Sequence, residues 1–72
     1  MEIRKVTKKD IQFGRKLQRV RKKTGITQEK LSELTGLSTT FIGLMETGRR
    51  KPSLESLQKI ASKLKVNIKE LF

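Results

Sequence analysis

Two groups of polar side chains could recognise a polyanion without catalysing a reaction. Thr39 and Thr40 follow a Gly36-Leu37-Ser38 segment, and an Arg-Arg-Lys run occupies residues 49–51. A threonine hydroxyl donates or accepts a hydrogen bond and can contact the polar edge of a base. Lys and Arg side chains only donate hydrogen bonds, and their positive charge attracts the phosphates of a nucleic acid. The pattern therefore favours recognition of a nucleic acid.

Residue types that most enzymes and metal sites require are missing from the 72-residue chain. It contains no Cys and no His, which excludes thiolate and imidazole ligands, a thiol nucleophile and the commonest general base. Its seven carboxylates are scattered, and no glycine-rich phosphate loop occurs. No apolar run exceeds two residues, so no segment has the length of a membrane span or a signal peptide. We expect a cytoplasmic protein that is not an enzyme, binds no metal or cofactor and has no membrane partner.

The net charge indicates the class of partner. Eighteen Lys and Arg against seven Asp and Glu give a formal charge of +11, and ten of these cations lie within residues 1–25. Such an excess favours nucleic acid first, an anionic membrane surface second and an acidic protein third. Trp is absent and the apolar residues are accounted for by a core, which disfavours the membrane surface.

Apolar periodicity predicts helices along nearly the whole chain, beginning with a first helix over about residues 8–23. Each predicted helix begins after a residue that can cap it, namely Thr7 or Asp10, Thr27, Ser38, Ser53 and Asn67. The first three helices end at Gly25, Gly36 and Gly48. The apolar stripe of the fourth helix is Leu54, Leu57, Ile60, Ala61 and Leu64. The sequence predicts an all-α, five-helix domain over residues 8–72, preceded by a basic arm over residues 1–7.

The second and third predicted helices are joined by a turn too short for an antiparallel pair. Such a turn sets two helices roughly perpendicular, as in a DNA-binding helix-turn-helix, whose second helix enters the major groove. The residues expected to face inward are Leu31, Leu34, Leu37, Ile42 and Met45. Those expected to face outward on the third helix are Thr39, Thr40, Gly43, Leu44 and Thr47. This outward face carries no charge, so the cations for phosphates are expected on flanking elements.

The motifs around this unit strongly resemble those of the lambda-repressor/Cro-like (Xre) helix-turn-helix family. In the family's order and spacing, over about residues 11–72, they are Leu17-x-x-x-Arg21-Lys22, Gly25-Ile26-Thr27-Gln28-Glu29-Lys30-Leu31, Gly36-Leu37-Ser38, Ile42, Met45-Glu46-x-Gly48, Pro52-Ser53-Leu54-x-x-Leu57 and Glu70-Leu71-Phe72. The resemblance implies a five-helix, lambda-repressor-like bundle that binds operator DNA, usually as a two-fold dimer on a palindrome.

The resemblance also implies roles for single residues. It places Thr39, Thr40 and Leu44 at base-reading positions, and Gly43, a small residue on the same outward face, completes the base-reading set. It also places Gln28, Arg49, Arg50 and Lys51 on the DNA backbone, and to this backbone set we add Ser38 and Lys22. Arg21 and Glu46 are expected to form a structural ion pair. Three of these roles have alternatives. In the alternatives, Leu44 is instead partly buried or in contact with a protein, and Lys22 is instead stabilised by the helix dipole. Residues 49–51 instead form a solvated loop.

The last residues suggest a surface for self-association. The exposed parts of Val66, Ile68, Leu71 and Phe72 are candidates for a dimer surface. Burial in the core of the same chain explains these apolar residues almost as well.

Four positions depart from the usual pattern of the family. Ser32 replaces a small apolar residue and needs a hydrogen-bond partner, and Lys30 replaces the acid of a capping box. Lys65 replaces a glycine, which predicts left-handed strain. Leu44 replaces a polar or basic residue and favours contact with a thymine methyl group.

The expected function is sequence-specific binding of double-stranded DNA by a repressor-type transcriptional regulator, acting as a homodimer on a palindromic operator. The alternative is an antitoxin-like protein whose main partner is a toxin and which also represses its own operon. Apart from a second copy of the chain, the candidate protein partners are a toxin and RNA polymerase.

Overall fold

The computed structural model describes residues 5–72, which form four α-helices and a C-terminal 3-10 turn. In chain order the elements are α1 (Lys8–Lys23), α2 (Gln28–Thr35), α3 (Thr39–Glu46), α4 (Leu54–Leu64) and the 3-10 turn (Ile68–Leu71). No strand occurs within this range, so the prediction of an all-α fold is confirmed. None of these helices is both long enough and apolar enough to cross a membrane. The arm predicted over residues 1–7 falls largely outside the described residues.

The C-terminal element is a single 3-10 turn, so the prediction of a fifth α-helix is wrong. The Glu70 N–H donates to the carbonyl of Asn67 at 2.9 Å, and the Phe72 N–H donates to that of Lys69 at 3.2 Å. The expected capping box is present, because the Glu70 carboxylate accepts the Asn67 N–H at 2.7 Å. Four residues are too few to build the i-to-i+4 ladder of an α-helix, so the tighter i-to-i+3 pattern forms.

Each α-helix begins after a residue expected to cap it. The side chains of Thr27, Ser38 and Ser53 accept the backbone N–H of the residue three positions later. Thr7 does the same for α1, and Asp10 returns a hydrogen bond by accepting the Thr7 N–H at 3.1 Å. A cap of this kind contributes about 1 kcal/mol. Short-range hydrogen bonds therefore set where the helices start.

Apolar side chains from all five elements form one core. Its buried residues are Leu17, Leu31, Ile42, Met45, Leu57, Ile60, Ala61, Leu64 and Leu71. Leu34, expected to face inward, is only half-buried, because Leu31 and Thr35 occupy the buried face of α2.

Two leucines differ from the predicted pattern of burial. Leu54 belongs to the predicted buried stripe of α4, yet its side chain is 65% exposed. It is the first residue of the helix, and helical side chains tilt towards the N-terminus, so it projects past the helix end. Leu71 is fully buried because the 3-10 turn packs against both α1 and α4. Leu71 therefore belongs to the core and not to the predicted dimer surface.

Two glycines allow α1 to lie directly against the end of α3. A Cβ atom on Gly14 would come within 2.4 Å of the Glu46 carbonyl oxygen, and one on Gly48 within 2.9 Å of the Asp10 carbonyl carbon. Both distances are well inside the normal separation of non-bonded atoms, so a larger residue would push the two elements apart. The pattern of motifs assigned no role to Gly14, although an isolated glycine within a helix is itself a signal of close packing.

Candidate nucleic-acid interface

The four residues predicted to read bases share one uncharged face of α3. Thr40 is exposed, and Thr39, Gly43 and Leu44 are half-buried. Ile42 on the opposite face is fully buried and anchors the helix in the core. A short helix held in this way presents its N-terminal residues at the surface, where the polar groups of a partner can reach them.

The turn before α3 is held by side chains as well as by backbone. Gly36 ends α2 in the left-handed region, with φ at 77°. The Ser32 hydroxyl donates to the Leu37 carbonyl at 2.6 Å, which is the partner that this hydroxyl needs. The Thr35 hydroxyl donates to the Leu31 carbonyl at 2.7 Å and accepts the Leu37 N–H at 3.2 Å. These bonds fix the direction in which the chain enters α3.

The basic segment after α3 folds back onto that helix. The backbone N–H groups of Arg49 and Arg50 both donate to the Leu44 carbonyl, at 2.8 and 3.3 Å. The Arg50 guanidinium lies over the ring of Phe41, with its central carbon 5.4 Å from the ring centroid. The segment therefore begins directly beside the uncharged face, with Arg50 held in a cation–π contact.

The third cation of this segment lies over the start of α1. The Lys51 ammonium is 3.8 Å from the buried Asp10 carboxylate, and the side chain of Lys51 is 72% exposed. Most of the Lys51 side chain thus remains open to solvent. Lys22, the other predicted phosphate ligand of this type, is exposed in the last turn of α1.

A buried carboxylate connects the first three helices. Glu46 Oε2 accepts from Arg21 Nε at 2.5 Å, and Glu46 Oε1 accepts from Arg21 Nη2 at 3.1 Å. The two side chains are only 1% and 7% exposed, respectively, so this ion pair is almost fully desolvated. Arg21 also donates to the Ile26 carbonyl at 2.7 Å, which ties the pair to the loop before α2.

Two glutamine amides share the same carboxylate. Gln28 Nε2 donates to Glu46 Oε1 at 2.9 Å, and Gln18 Nε2 lies 3.3 Å from the same oxygen. The Gln28 amide also lies beside the uncharged face of α3, 3.9 Å from the position that a Cβ atom on Gly43 would occupy. Gln28 thus lies between the buried ion pair and the outward face of α3.

The structure brings most of the predicted site residues to one region. Gln28, the ion pair and the uncharged face meet along α3, and Arg49 and Arg50 follow directly from it. Sequence reasoning missed Gln18 and Phe41. Neither stands in a motif, and their roles arise only because distant segments meet.

Comparison with known proteins decides the family. A helix-turn-helix family model matches residues 17–71, which is most of the chain. The protein belongs to the Xre-type helix-turn-helix family. Members of this family are DNA-binding transcription regulators, and the resemblance inferred from the motifs is confirmed.

Two proteins similar to this helix-turn-helix regulator are named as control proteins, and a third is named as a restriction-modification controller protein. Control protein C.MunI from Mycoplasma sp is 40% identical over 63 residues, covering 86% of this chain and 85% of its own length. Control protein C.BamHI from Bacillus amyloliquefaciens is 38% identical over 60 residues, covering 82% and 74%. The crystal structure of the restriction-modification controller protein C.AhdI from Aeromonas hydrophila superposes with a TM-score of 0.88 at 35% identity, covering 92% of this chain and all of that one.

Proposed function

We propose that this Xre-type regulator binds double-stranded DNA sequence-specifically by placing α3 in the major groove. The observation that carries the proposal is the uncharged, accessible face of α3, which is bordered by Gln28 and by the basic segment that starts at Arg49. In this interface Thr39, Thr40, Gly43 and Leu44 contact base edges. The groups assigned to the DNA backbone are Gln28, Ser38, Lys22, Arg49, Arg50 and Lys51.

The chemistry of the two sets divides their tasks. Threonine hydroxyls and the Leu44 side chain can distinguish the polar edges and the thymine methyl group in the major groove. Lys and Arg neutralise phosphates, which adds affinity for any duplex and makes binding dependent on salt. Phe41 holds the guanidinium of Arg50, one of these cations, beside α3.

We further propose that the protein acts as a two-fold dimer on a palindromic operator. The described chain measures 35 × 21 × 20 Å, so one copy covers a half-site. Two copies placed end to end along the 35 Å axis match half-sites about 34–36 Å apart, one turn of the duplex. Of the predicted dimer surface, Val66 and Ile68 are half-buried, and Phe72 is 64% exposed with its ring 6.0 Å from that of Phe13.

The similarity to restriction-modification control proteins suggests which genes the regulator serves. We propose that it controls transcription of restriction-modification genes, as a repressor at its own operator. The antitoxin alternative gains no support from the relatives named above, since none of them is called an antitoxin.

Selection of bound duplexes from a random pool tests the proposal. We expect enrichment of one sequence with two inverted half-sites about one helical turn apart. Binding to that duplex should weaken steeply with salt, with a log–log slope near −7 if a dimer neutralises about eight phosphates. A pool without an enriched sequence, or a slope near zero, would contradict sequence-specific binding by this face.

A further inference from the structure

The Glu46 carboxylate does more than neutralise Arg21. Its Oε1 atom accepts from Arg21 Nη2 at 3.1 Å, from Gln18 Nε2 at 3.3 Å and from Gln28 Nε2 at 2.9 Å. Arg21 Nε holds the other oxygen at 2.5 Å, so the carboxylate cannot rotate without losing its partners. A rigid, buried anion thus contacts a side chain that we assign to the DNA interface.

This contact fixes which end of the Gln28 amide faces which way. An ionised carboxylate only accepts hydrogen bonds, whereas an amide has an NH₂ group that donates and an oxygen that only accepts. A reversed Gln28 amide would bring its oxygen against the Glu46 oxygen and leave the charge without that donor. One N–H of Gln28 is therefore committed to Glu46, and the second N–H remains for another acceptor.

We propose that Glu46 is a positioning residue for DNA binding, which fixes the polarity of the Gln28 amide so that its second N–H donates to a DNA phosphate. A phosphate also accepts hydrogen bonds only, so an amide presenting its oxygen would be repelled. The ion pair with Arg21 and the contact from Gln18 keep Glu46 in place. This inference rests on the proposed function, because it requires a duplex on this face of the protein.

A double-mutant cycle tests the coupling. The variants are Gln28→Ala, Glu46→Gln and the double substitution, each titrated by fluorescence anisotropy against the selected duplex and a random-sequence duplex. We expect Gln28→Ala to weaken binding to both duplexes about tenfold, the effect of losing one hydrogen bond to a charged group. Glu46→Gln should weaken binding to a similar degree alone, but by less than about twofold in the Gln28→Ala background, because the interaction it supports is already absent.

The cycle separates positioning from a general loss of structure. A Glu46→Gln effect of equal size in both backgrounds would overturn the positioning role while leaving the proposed function standing. An unmodified chain that binds neither duplex would overturn both proposals.

A measurement on the unmodified chain keeps the inference falsifiable if Glu46→Gln fails to fold. The side-chain NH₂ groups of Gln28 and of Gln58, which is exposed on α4, are compared by NMR in the absence of DNA. We expect the Gln28 amide to be the more rigid, with its protons exchanging several-fold more slowly than those of Gln58. Equal mobility and equal exchange of the two amides would overturn the inference.

Discussion

At the residue scale, the uncharged face of α3 and the cations beside it should contribute differently to DNA binding. Thr40 is exposed on that face, while Arg50 is held over Phe41 at its edge. A side chain that contacts a base edge alters discrimination, whereas one that contacts a phosphate alters affinity for every duplex. These two residues therefore allow the tasks to be measured separately.

We predict that Thr40→Ala lowers the ratio of operator to random-duplex affinity about tenfold, the value of one good base contact. Arg50→Ala should weaken both duplexes to a similar extent and reduce the salt slope by about 1. Lys63→Ala, which removes one exposed cation from α4, is the control for net charge. Equal losses on both duplexes from Thr40→Ala and Arg50→Ala would contradict this division.

A second residue-scale prediction concerns stability. Lys65 ends α4 with φ at 59° and ψ at 41°, and it is the one non-glycine residue with positive φ among the described residues. A left-handed backbone costs an L-residue about 1–2 kcal/mol, and a glycine avoids this cost. The greater entropy of glycine in the unfolded chain offsets part of that gain in stability.

Lys65→Gly should therefore raise the free energy of unfolding by about 0.5–1 kcal/mol. The matched change Lys63→Gly, in the right-handed last turn of α4, should instead lower it, by up to about 1 kcal/mol, because Gly has a lower helix propensity than Lys. Urea unfolding followed by circular dichroism measures both variants. A loss of stability in Lys65→Gly would show that the left-handed residue carries no strain.

At the scale of elements, the position of α3 depends on how closely α1 can approach it. Gly14 faces the carbonyl groups at the end of α3, whereas Gly43 lies on the uncharged face of α3, where an added Cβ atom would be 3.9 Å from the Gln28 amide. Both residues lie within α-helices, so replacement by Ala gives the same gain in helix propensity. The two substitutions differ only in what the added methyl group meets.

We predict that Gly14→Ala lowers the free energy of unfolding by about 1–3 kcal/mol, because its methyl group overpacks against backbone atoms that cannot rotate away. Gly43→Ala should raise it by up to about 1 kcal/mol through helix propensity. Thermal and urea unfolding of the two variants test this difference. Equal effects of the two substitutions would mean that α1 and α3 tolerate a wider separation than the structure shows.

At the scale of the whole molecule, two apolar side chains that are almost equally exposed allow the proposed dimer surface to be tested. Phe72 is 64% exposed and belongs to the proposed dimer surface, whereas Leu54 is 65% exposed at the start of α4. A charge placed in a dimer interface costs free energy of association, while the same charge on a free surface does not.

Phe72→Glu should therefore shift the molecule towards the monomer in sedimentation equilibrium, and it should weaken binding to a two-half-site duplex more than to a single half-site. Leu54→Glu, which makes the same change in charge, should leave both measurements unchanged. If Phe72→Glu associates as the unmodified chain does, the dimer surface lies elsewhere on the molecule.

The amino-acid sequence determined the features that depend on neighbouring residues. Capping side chains at Thr7, Thr27, Ser38 and Ser53 set the helix starts, and Gly36 set the turn, because their hydrogen bonds and dihedral angles involve only a few residues. The order and spacing of the motifs were also sufficient to indicate the family.

Only the tertiary structure decided which side chains meet across the fold. The periodicity of the sequence placed Leu54 in the core, and it did not decide whether Leu71 belongs to the core or to the dimer surface. A sequence pattern does not show where a neighbouring element ends. The link from Gln28 to Glu46 joins residues 18 positions apart, so no local rule predicts it. Burial and shared hydrogen bonds depend on the packing of distant segments, and that packing is what connects the ion pair to the proposed DNA interface.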